Sequence, residues 1–281
     1  MASRQSLPEN LSPAQVIALQ DALLENADRL LRAAITMLDN DEVALARSLG
    51  ILGMEESGKA IALHERRVGM AYAPEGEAFI DKTLRELWGN HGRKLSAVYD
   101  FLVAEQYWSG VEPSDPIENE LALGTIDSWR RDHNTFKQGG FYVDVSPEGA
   151  PITPGSATDP GAVRDAIGHI HQVGWQLRLG EHIEAKGRLQ REEDVPPASE
   201  DEIKRMRRAL RGADPETVAH ILESMRQGRG GERMNNAEYA FVLPENPFEN
   251  LGKPGYEAEE RELALLMDSL DRENAERACD E

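Results

Sequence analysis

A helical run with charged residues on its apolar side is the feature that most constrains how this chain folds. Residues 49–64 are mostly apolar or small. At 3.6 residues per turn, one face of this run carries Leu52, Glu56, Lys59 and Leu63. A charge on an apolar face is unfavourable unless it is paired, so we expect Glu56 and Lys59 to pair with each other or with a third group. The pattern indicates either a core ion pair or a functional site.

The same segment imitates a phosphate-binding loop. Gly53, Gly58 and Lys59 have the spacing of the P-loop of nucleoside triphosphatases. That loop needs a preceding strand and a Ser or Thr after the lysine to bind Mg²⁺. Here Ala60 follows the lysine, two glutamates lie inside the motif, and the flanks predict a continuous helix. We therefore reject a nucleotide site in this segment.

Composition indicates a soluble protein of one or two domains. The 281 residues are enough to bury a full core. The only cysteine, Cys279, cannot form an internal disulfide, so we expect a reducing compartment, most simply the cytoplasm. The N-terminal residues lack the apolar stretch of a secretion signal, and no apolar run approaches the roughly 20 residues that span a bilayer. We predict no membrane partner.

The charge distribution is uneven. A formal charge of −20 argues against a general nucleic-acid-binding protein, because such proteins usually carry a basic surface. Residues 161–191, however, contain more basic than acidic side chains and include three histidines, whereas residues 256–281 are strongly acidic. A locally basic helix in an acidic protein remains able to contact RNA.

Apolar periodicity predicts an all-α fold, an antiparallel bundle of about five long helices. Ser12 is a predicted N-cap, followed by proline at the first helical position. The predicted helices run from Pro13 to a break at Asp39, then to about Ala71, from about Glu75 to Tyr107, from Ile117 to Phe136 and from Gly161 to Arg188. Short turns between the first three require antiparallel neighbours.

Domain organisation follows from a change in composition near Arg191. We predict a bundle domain over residues 1–190 and an acidic helical extension over residues 191–281. In the extension, Ser199 and Glu202 form a capping box for a short basic helix. A second helix starts at Asp214 and a last acidic helix spans about residues 256–278. The extension is typical of a docking appendage rather than a second enzyme.

A polar cluster between helices is the first candidate site. His91 lies on the apolar stripe of the third predicted helix, with Lys94 one turn further on. We expect it to face Glu56 and Lys59 on the adjacent antiparallel helix. Clustered titratable groups inside a bundle are candidates for function as well as for fold specificity. The alternative is a buried histidine bonded to a neighbouring helix.

The second candidate site lies near the start of the fifth predicted helix. Arg164 offers a cationic fork for a phosphate, and His169 or His171 can exchange protons near neutral pH. Together they are the minimum set for metal-independent RNA cleavage by the neighbouring 2'-hydroxyl. Within one chain the helical register favours His171, whereas a two-fold dimer could use His169. The alternative is an ordinary solvated helix face, and we predict no metal site.

Three motifs together resemble the AbiV family of bacterial abortive-infection proteins. They are Glu56-Ser57-Gly58-Lys59, His91-x-x-Lys94 and Lys137-Gln138-Gly139-Gly140-Phe141-Tyr142-Val143-Asp144. The resemblance covers about residues 23–145, with a weaker continuation toward Arg188. AbiV-like proteins are grouped with the HEPN superfamily, all-helical bundles that often dimerise and act in phage defence, toxin systems and RNA cleavage.

The resemblance implies an anti-phage protein that arrests host growth. Superfamily ribonucleases carry an Arg-x4-6-His motif, which Arg164 forms with His169 and, at the long end, with His171. The family's polar cluster would comprise Glu56, Lys59, His91, Lys94, Tyr142 and Asp144. The implied partners are an RNA substrate, a phage-encoded protein trigger and a second copy of the chain, with no cofactor.

Two other functions stay open on the sequence. A non-catalytic HEPN-like protein would use the polar cluster to sense a phage component or ligand and would block translation, which the net charge of −20 favours. A purely structural bundle would lose stability when Glu56 or His91 is truncated, because an unpaired buried charge is strongly destabilising.

Overall fold

The chain folds into a helical bundle, as the all-α prediction requires. The computed structural model describes residues 7–104, 115–154, 159–246 and 248–256 and the single positions 264 and 267. The helices of the bundle are α1 (Pro13–Asp39), α2 (Val43–Met70), α3 (Lys82–Gly89), α4 (His91–Ala104), α5 (Pro116–Leu123), α6 (Ile126–Gly139) and α7 (Pro160–Glu192). Across these ranges, none of the helices combines the length and apolar character that a bilayer crossing requires.

Two short strands and the C-terminal helices complete the architecture. Two two-residue strands, β1 (Asp144–Val145) and β2 (Pro151–Ile152), pair antiparallel between α6 and α7. The C-terminal part contains α8 (Glu200–Ala209), α9 (Pro215–Gln227) and a 3₁₀ turn at Ala237–Tyr239. The capping box predicted at the start of α8 is confirmed.

Helix α2 is the centre of the bundle. It packs against α1, α4, α6 and α7. Its buried side chains therefore lie all around the helix and not along a single stripe. The segment from Gly53 to Lys59 lies within this uninterrupted helix, which confirms that it is not a phosphate-binding loop. Its backbone amides bond within the helix and are not free to face a phosphate.

Small residues on α2 allow its neighbours to approach closely. A Cβ atom added at Gly58 would overlap the backbone carbonyl oxygen of Lys94 on α4. Because backbone is the obstacle, rotation of a flexible side chain could not relieve the overlap. Gly58 therefore fixes the crossing of α2 and α4.

The prediction of a single third helix is wrong, because the structure has two helices there, α3 and α4. Residues 71–81 form turns, Asp81 caps α3 through the amide of Leu84, and Asn90 adopts an extended backbone that ends α3. The Asn90 side chain then accepts a hydrogen bond from the amide of Arg93 in the first turn of α4. His91 consequently begins a helix instead of lying in the middle of one.

The fourth predicted helix is also divided. Gly124 has a φ of 76°, a left-handed conformation that glycine adopts without strain, and it ends α5. Thr125 then caps α6 by accepting a hydrogen bond from the amide of Ser128. The carbonyl of Gly124 is held by the Tyr99 hydroxyl at 2.6 Å, which ties the break to α4.

The residues after α9 pack on the bundle. Tyr239 is part of the main core and its hydroxyl donates to the carbonyl of Leu11 at 2.8 Å. Buried Arg67 of α2 donates to the carbonyl of Tyr239 and stacks on the ring of Phe241. Nearly all of the last predicted helix, residues 256–278, lies outside the described residues.

Alanine substitution at two glycines tests the close crossing of α2 and α4. We expect Gly58→Ala to lower the free energy of unfolding by about 1–3 kcal/mol, because the overlap with the Lys94 carbonyl outweighs the gain in helix propensity. Gly168→Ala is the matched control, since among the described residues no atom beyond the local backbone of α7 lies within 4 Å of a Cβ atom built there. It is expected to stabilise by about 0.5–1 kcal/mol in urea unfolding. Stabilisation by both substitutions would contradict the described crossing.

Candidate functional site

A buried carboxylate joins three helices at the centre of the bundle. Glu55 of α2 is 3% exposed. Its Oε1 accepts a hydrogen bond from Nζ of Lys137 on α6 at 2.5 Å, and its Oε2 lies 2.6 Å from Nδ1 of His91 on α4. Nζ of Lys94, also on α4, is 3.8 Å from Oε2. One carboxylate therefore binds two cations and an imidazole from two neighbouring helices.

Backbone contacts place these side chains. The helix break at Asn90 puts His91 in the first turn of α4, directly beside α2. At the end of α6, the Lys137 carbonyl accepts a hydrogen bond from the Ser48 hydroxyl at 2.8 Å. A Cβ atom at Gly140 would overlap that same hydroxyl, so α6 can dock on α2 this closely only with glycine at this position.

The environment keeps Glu55 ionised. Burial by itself raises the pKa of Glu55, but the hydrogen bonds and charges of Lys137 and His91 outweigh burial, so the pKa is lowered overall. An ionised carboxylate only accepts hydrogen bonds, so Nδ1 of His91 must be the donor. Nε2 is then the nitrogen left for other partners. The His91 side chain is 44% exposed, which makes it the accessible member of the cluster.

Positive charge is concentrated around His91. Lys94 and Lys137 share the single carboxylate of Glu55. The guanidinium of Arg130 on α6 packs against the backbone of Gly92, the residue after His91. Nε of Arg130 is buried and has no hydrogen-bond partner in the part of the chain that the structure describes. Nη1 of Arg130 lies 3.8 Å from the carboxylate of Asp127. Three cationic side chains, Lys94, Lys137 and Arg130, therefore lie on the His91 side of the bundle.

The predicted pair of Glu56 and Lys59 is confirmed as an ion pair of 2.6 Å within α2. Both side chains are largely buried, and Nζ of Lys59 lies 5.3 Å from the ring centroid of Trp88. Glu56 is adjacent to Glu55 in sequence, but its pair is separate from the cluster around Glu55. The contacts of His91 and Lys94 are with Glu55 rather than with Glu56.

Tyr142 and Asp144 lie apart from the cluster. Tyr142 is 67% exposed. The exposed Asp144 begins β1, and its carboxylate accepts a hydrogen bond from the amide of Val145. The chain leaves the cluster after Gly140, so the expected inclusion of these two residues is not seen.

Sequence reasoning missed two members of the cluster, Glu55 and Lys137. Glu55 lies in the apolar run and Lys137 begins the third motif. The sequence feature that predicts Glu55 is a second carboxylate next to Glu56 in a predominantly apolar helix.

The residues of the second candidate site, Arg164, His169 and His171, are not brought together within the single chain. Arg164 is exposed and its Nη2 lies 3.3 Å from the carboxylate of Asp39, whereas Nε2 of His171 lies 4.0 Å from that of Asp28. These two acids are about three turns apart along α1. His169 is half-buried on α7. The structure therefore holds Arg164 and His171 against different acids.

A family comparison adds an independent finding. The HEPN family described as AbiV matches residues 15–175 of the chain, which is more than half of its length. The matched range extends from α1 into α7 and contains every residue of the cluster around Glu55. No curated protein and no solved structure matches the chain.

Neutralising neighbouring glutamates distinguishes the buried cluster from the pair beside it. Glu55→Gln leaves two largely buried lysines without their shared counter-ion, so we expect a loss of about 3–5 kcal/mol in the free energy of unfolding. Glu56→Gln, the matched control, is expected to cost less than Glu55→Gln, because it leaves one lysine without its carboxylate instead of two and its pair is more exposed than Glu55. Urea unfolding at pH 7 measures both. Equal losses would contradict the central position of Glu55.

Proposed function

Since this chain belongs to the AbiV family of HEPN abortive-infection proteins, we propose that it arrests the growth of phage-infected bacteria by cutting RNA, with His91 as the acid–base group. The contact of 2.6 Å between Glu55 Oε2 and His91 Nδ1 carries this proposal. A buried carboxylate that binds one ring nitrogen leaves the other for a substrate, and the His91 side chain is 44% exposed. This is the arrangement that proton transfer at a surface site requires.

The proposed reaction needs no metal. Nε2 of His91 takes the proton of a ribose 2'-hydroxyl as that oxygen attacks the adjacent phosphorus. The bond from phosphorus to the 5'-oxygen then breaks, and the imidazolium returns the proton to that leaving oxygen. The products are a 2',3'-cyclic phosphate and a free 5'-hydroxyl. Arg130, beside Gly92, is the cation proposed to stabilise the negative phosphorane, with Lys94 contributing charge from within α4.

The first turns of α7 are a second location for the same chemistry. The side chains of Arg164 and His171 are 61% and 48% exposed, so a second copy of the chain could approach both. In this alternative a homodimer brings Arg164 of one copy to His169 or His171 of the other. The contacts with Asp39 and Asp28 would have to be exchanged for contacts with RNA.

A binding protein without chemistry is the second candidate function. The burial of Glu55, Lys94 and Lys137 favours it, because most of the cluster is closed to a large substrate. The net charge of −20 also disfavours contact with RNA outside local basic surfaces. In this case His91 marks the place where a phage-encoded trigger protein is recognised, and growth stops because translation is blocked.

Induced expression in a bacterium tests the proposal. Growth and total-RNA integrity are followed for the wild type and for His91→Gln, with soluble yield and melting temperature measured for each variant. We expect wild-type expression to stop growth and fragment RNA, and His91→Gln to fold but do neither, because it lacks a titratable imidazole. His220→Gln is the matched control, since His220 is an exposed histidine of α9 outside the family match.

Other outcomes separate the alternatives. RNA cleavage that survives His91→Gln but is lost with Arg164→Ala and with either His169→Ala or His171→Ala moves the site to α7. Growth arrest with intact RNA, abolished by His91→Gln, contradicts the nuclease and supports the binding protein.

A further inference from the structure

A cavity separate from the Glu55 cluster lies between α2, α6 and α7. Its volume is about 310 Å³, which is at the lower end of the range for small-molecule sites. The walls are predominantly apolar, and their side chains include Ile51, Met54, Phe136, Ile167 and Ile170. A cavity of this character favours the apolar part of an organic ligand over a hydrated ion.

Arg47 is the cation in this cavity. Its guanidinium carbon lies 4.1 Å from the ring centroid of Phe136, and its buried Nε has no hydrogen-bond partner among the described residues. Within the described ranges, no carboxylate lies at ion-pair distance from Arg47. Partial burial lowers the pKa of Arg47. An anionic group at the guanidinium would supply a hydrogen-bond acceptor for Nε and a counter-charge.

The other polar groups of the cavity are already engaged or neutral. The carboxylate of Asp159 caps α7 by accepting hydrogen bonds from the amides of Gly161 and Ala162 at 3.1 and 3.2 Å. Nδ1 of His133 donates to the carbonyl of Trp129 at 2.7 Å, and burial lowers the pKa of this histidine, which favours the neutral ring. Arg47 is thus the group with unused hydrogen-bonding capacity.

We propose that this cavity binds an amphipathic organic anion. The carboxylate, sulfonate or phosphate of the ligand would pair with Arg47, and its apolar body would lie between α6 and α7 against Ile167 and Ile170. This site is distinct from His91 and does not depend on RNA cleavage. Charge and shape are both needed, because the apolar walls contribute affinity and the guanidinium selects for an anion.

Two fluorescent probes of matched shape test the site. 8-Anilinonaphthalene-1-sulfonate carries an apolar aromatic body and one anionic group, and N-phenyl-1-naphthylamine has the same aromatic body without the sulfonate. We expect the wild-type protein to bind one molecule of the sulfonate per chain. Arg47→Met should weaken its binding by about ten-fold or more, the effect of losing a charge-assisted hydrogen bond, while binding of the neutral amine changes little.

Two further variants complete the experiment. Ala166→Phe places a ring in the cavity and should abolish binding of both probes, whereas Arg164→Met removes an exposed arginine of the same helix and should change neither. Melting temperatures identify any variant that binds dye because it is unfolded. No saturable binding of the sulfonate to wild type, or binding unchanged by Arg47→Met and Ala166→Phe in folded protein, would overturn the proposal.

Discussion

The carboxylate of Glu55 is the interaction on which the centre of this bundle depends. It is almost inaccessible to water, yet it stays ionised because Lys137 of α6 and His91 of α4 donate to it and lower its pKa, and Lys94 of α4 lies 3.8 Å away. Removing any of these partners would leave charge in a site of low polarity. The close approach that the cluster requires explains Gly58 and Gly140, where any side chain would overlap the backbone of a neighbour.

The same cluster connects stability to the proposed activity. Lys94, Lys137 and Glu55 are buried, whereas the imidazole that they hold is nearly half exposed at the start of a helix. Buried ion pairs seldom add much net stability compared with apolar packing, but they can fix one arrangement of side chains. In this protein the arrangement holds the partly exposed imidazole of His91 beside cationic groups.

Sequence periodicity predicted the helical bundle, the α1–α2 hairpin and the Glu56–Lys59 pair. It failed at Asn90 and Gly124, because the apolar spacing continues across both positions although a helix ends at each of them. Periodicity also missed Glu55. It identifies one buried face of a helix, whereas α2 packs against several helices and buries side chains all around. The spacing of Arg164 and His171 suggested a pair, but their contacts with separate acids of α1 are tertiary and left no local signal.

The most direct test of the central claim is ¹⁵N NMR of the His91 ring in the intact protein, assigned by comparison with His91→Gln. If ionised Glu55 accepts a hydrogen bond from His91, the neutral ring must carry its proton on Nδ1, and that proton must resonate far downfield. The proton should move upfield in Glu55→Gln under conditions where that variant remains folded, because a neutral amide oxygen is a weaker acceptor than a carboxylate. A neutral ring protonated on Nε2 in the wild-type protein would contradict the claim that Glu55 orients His91.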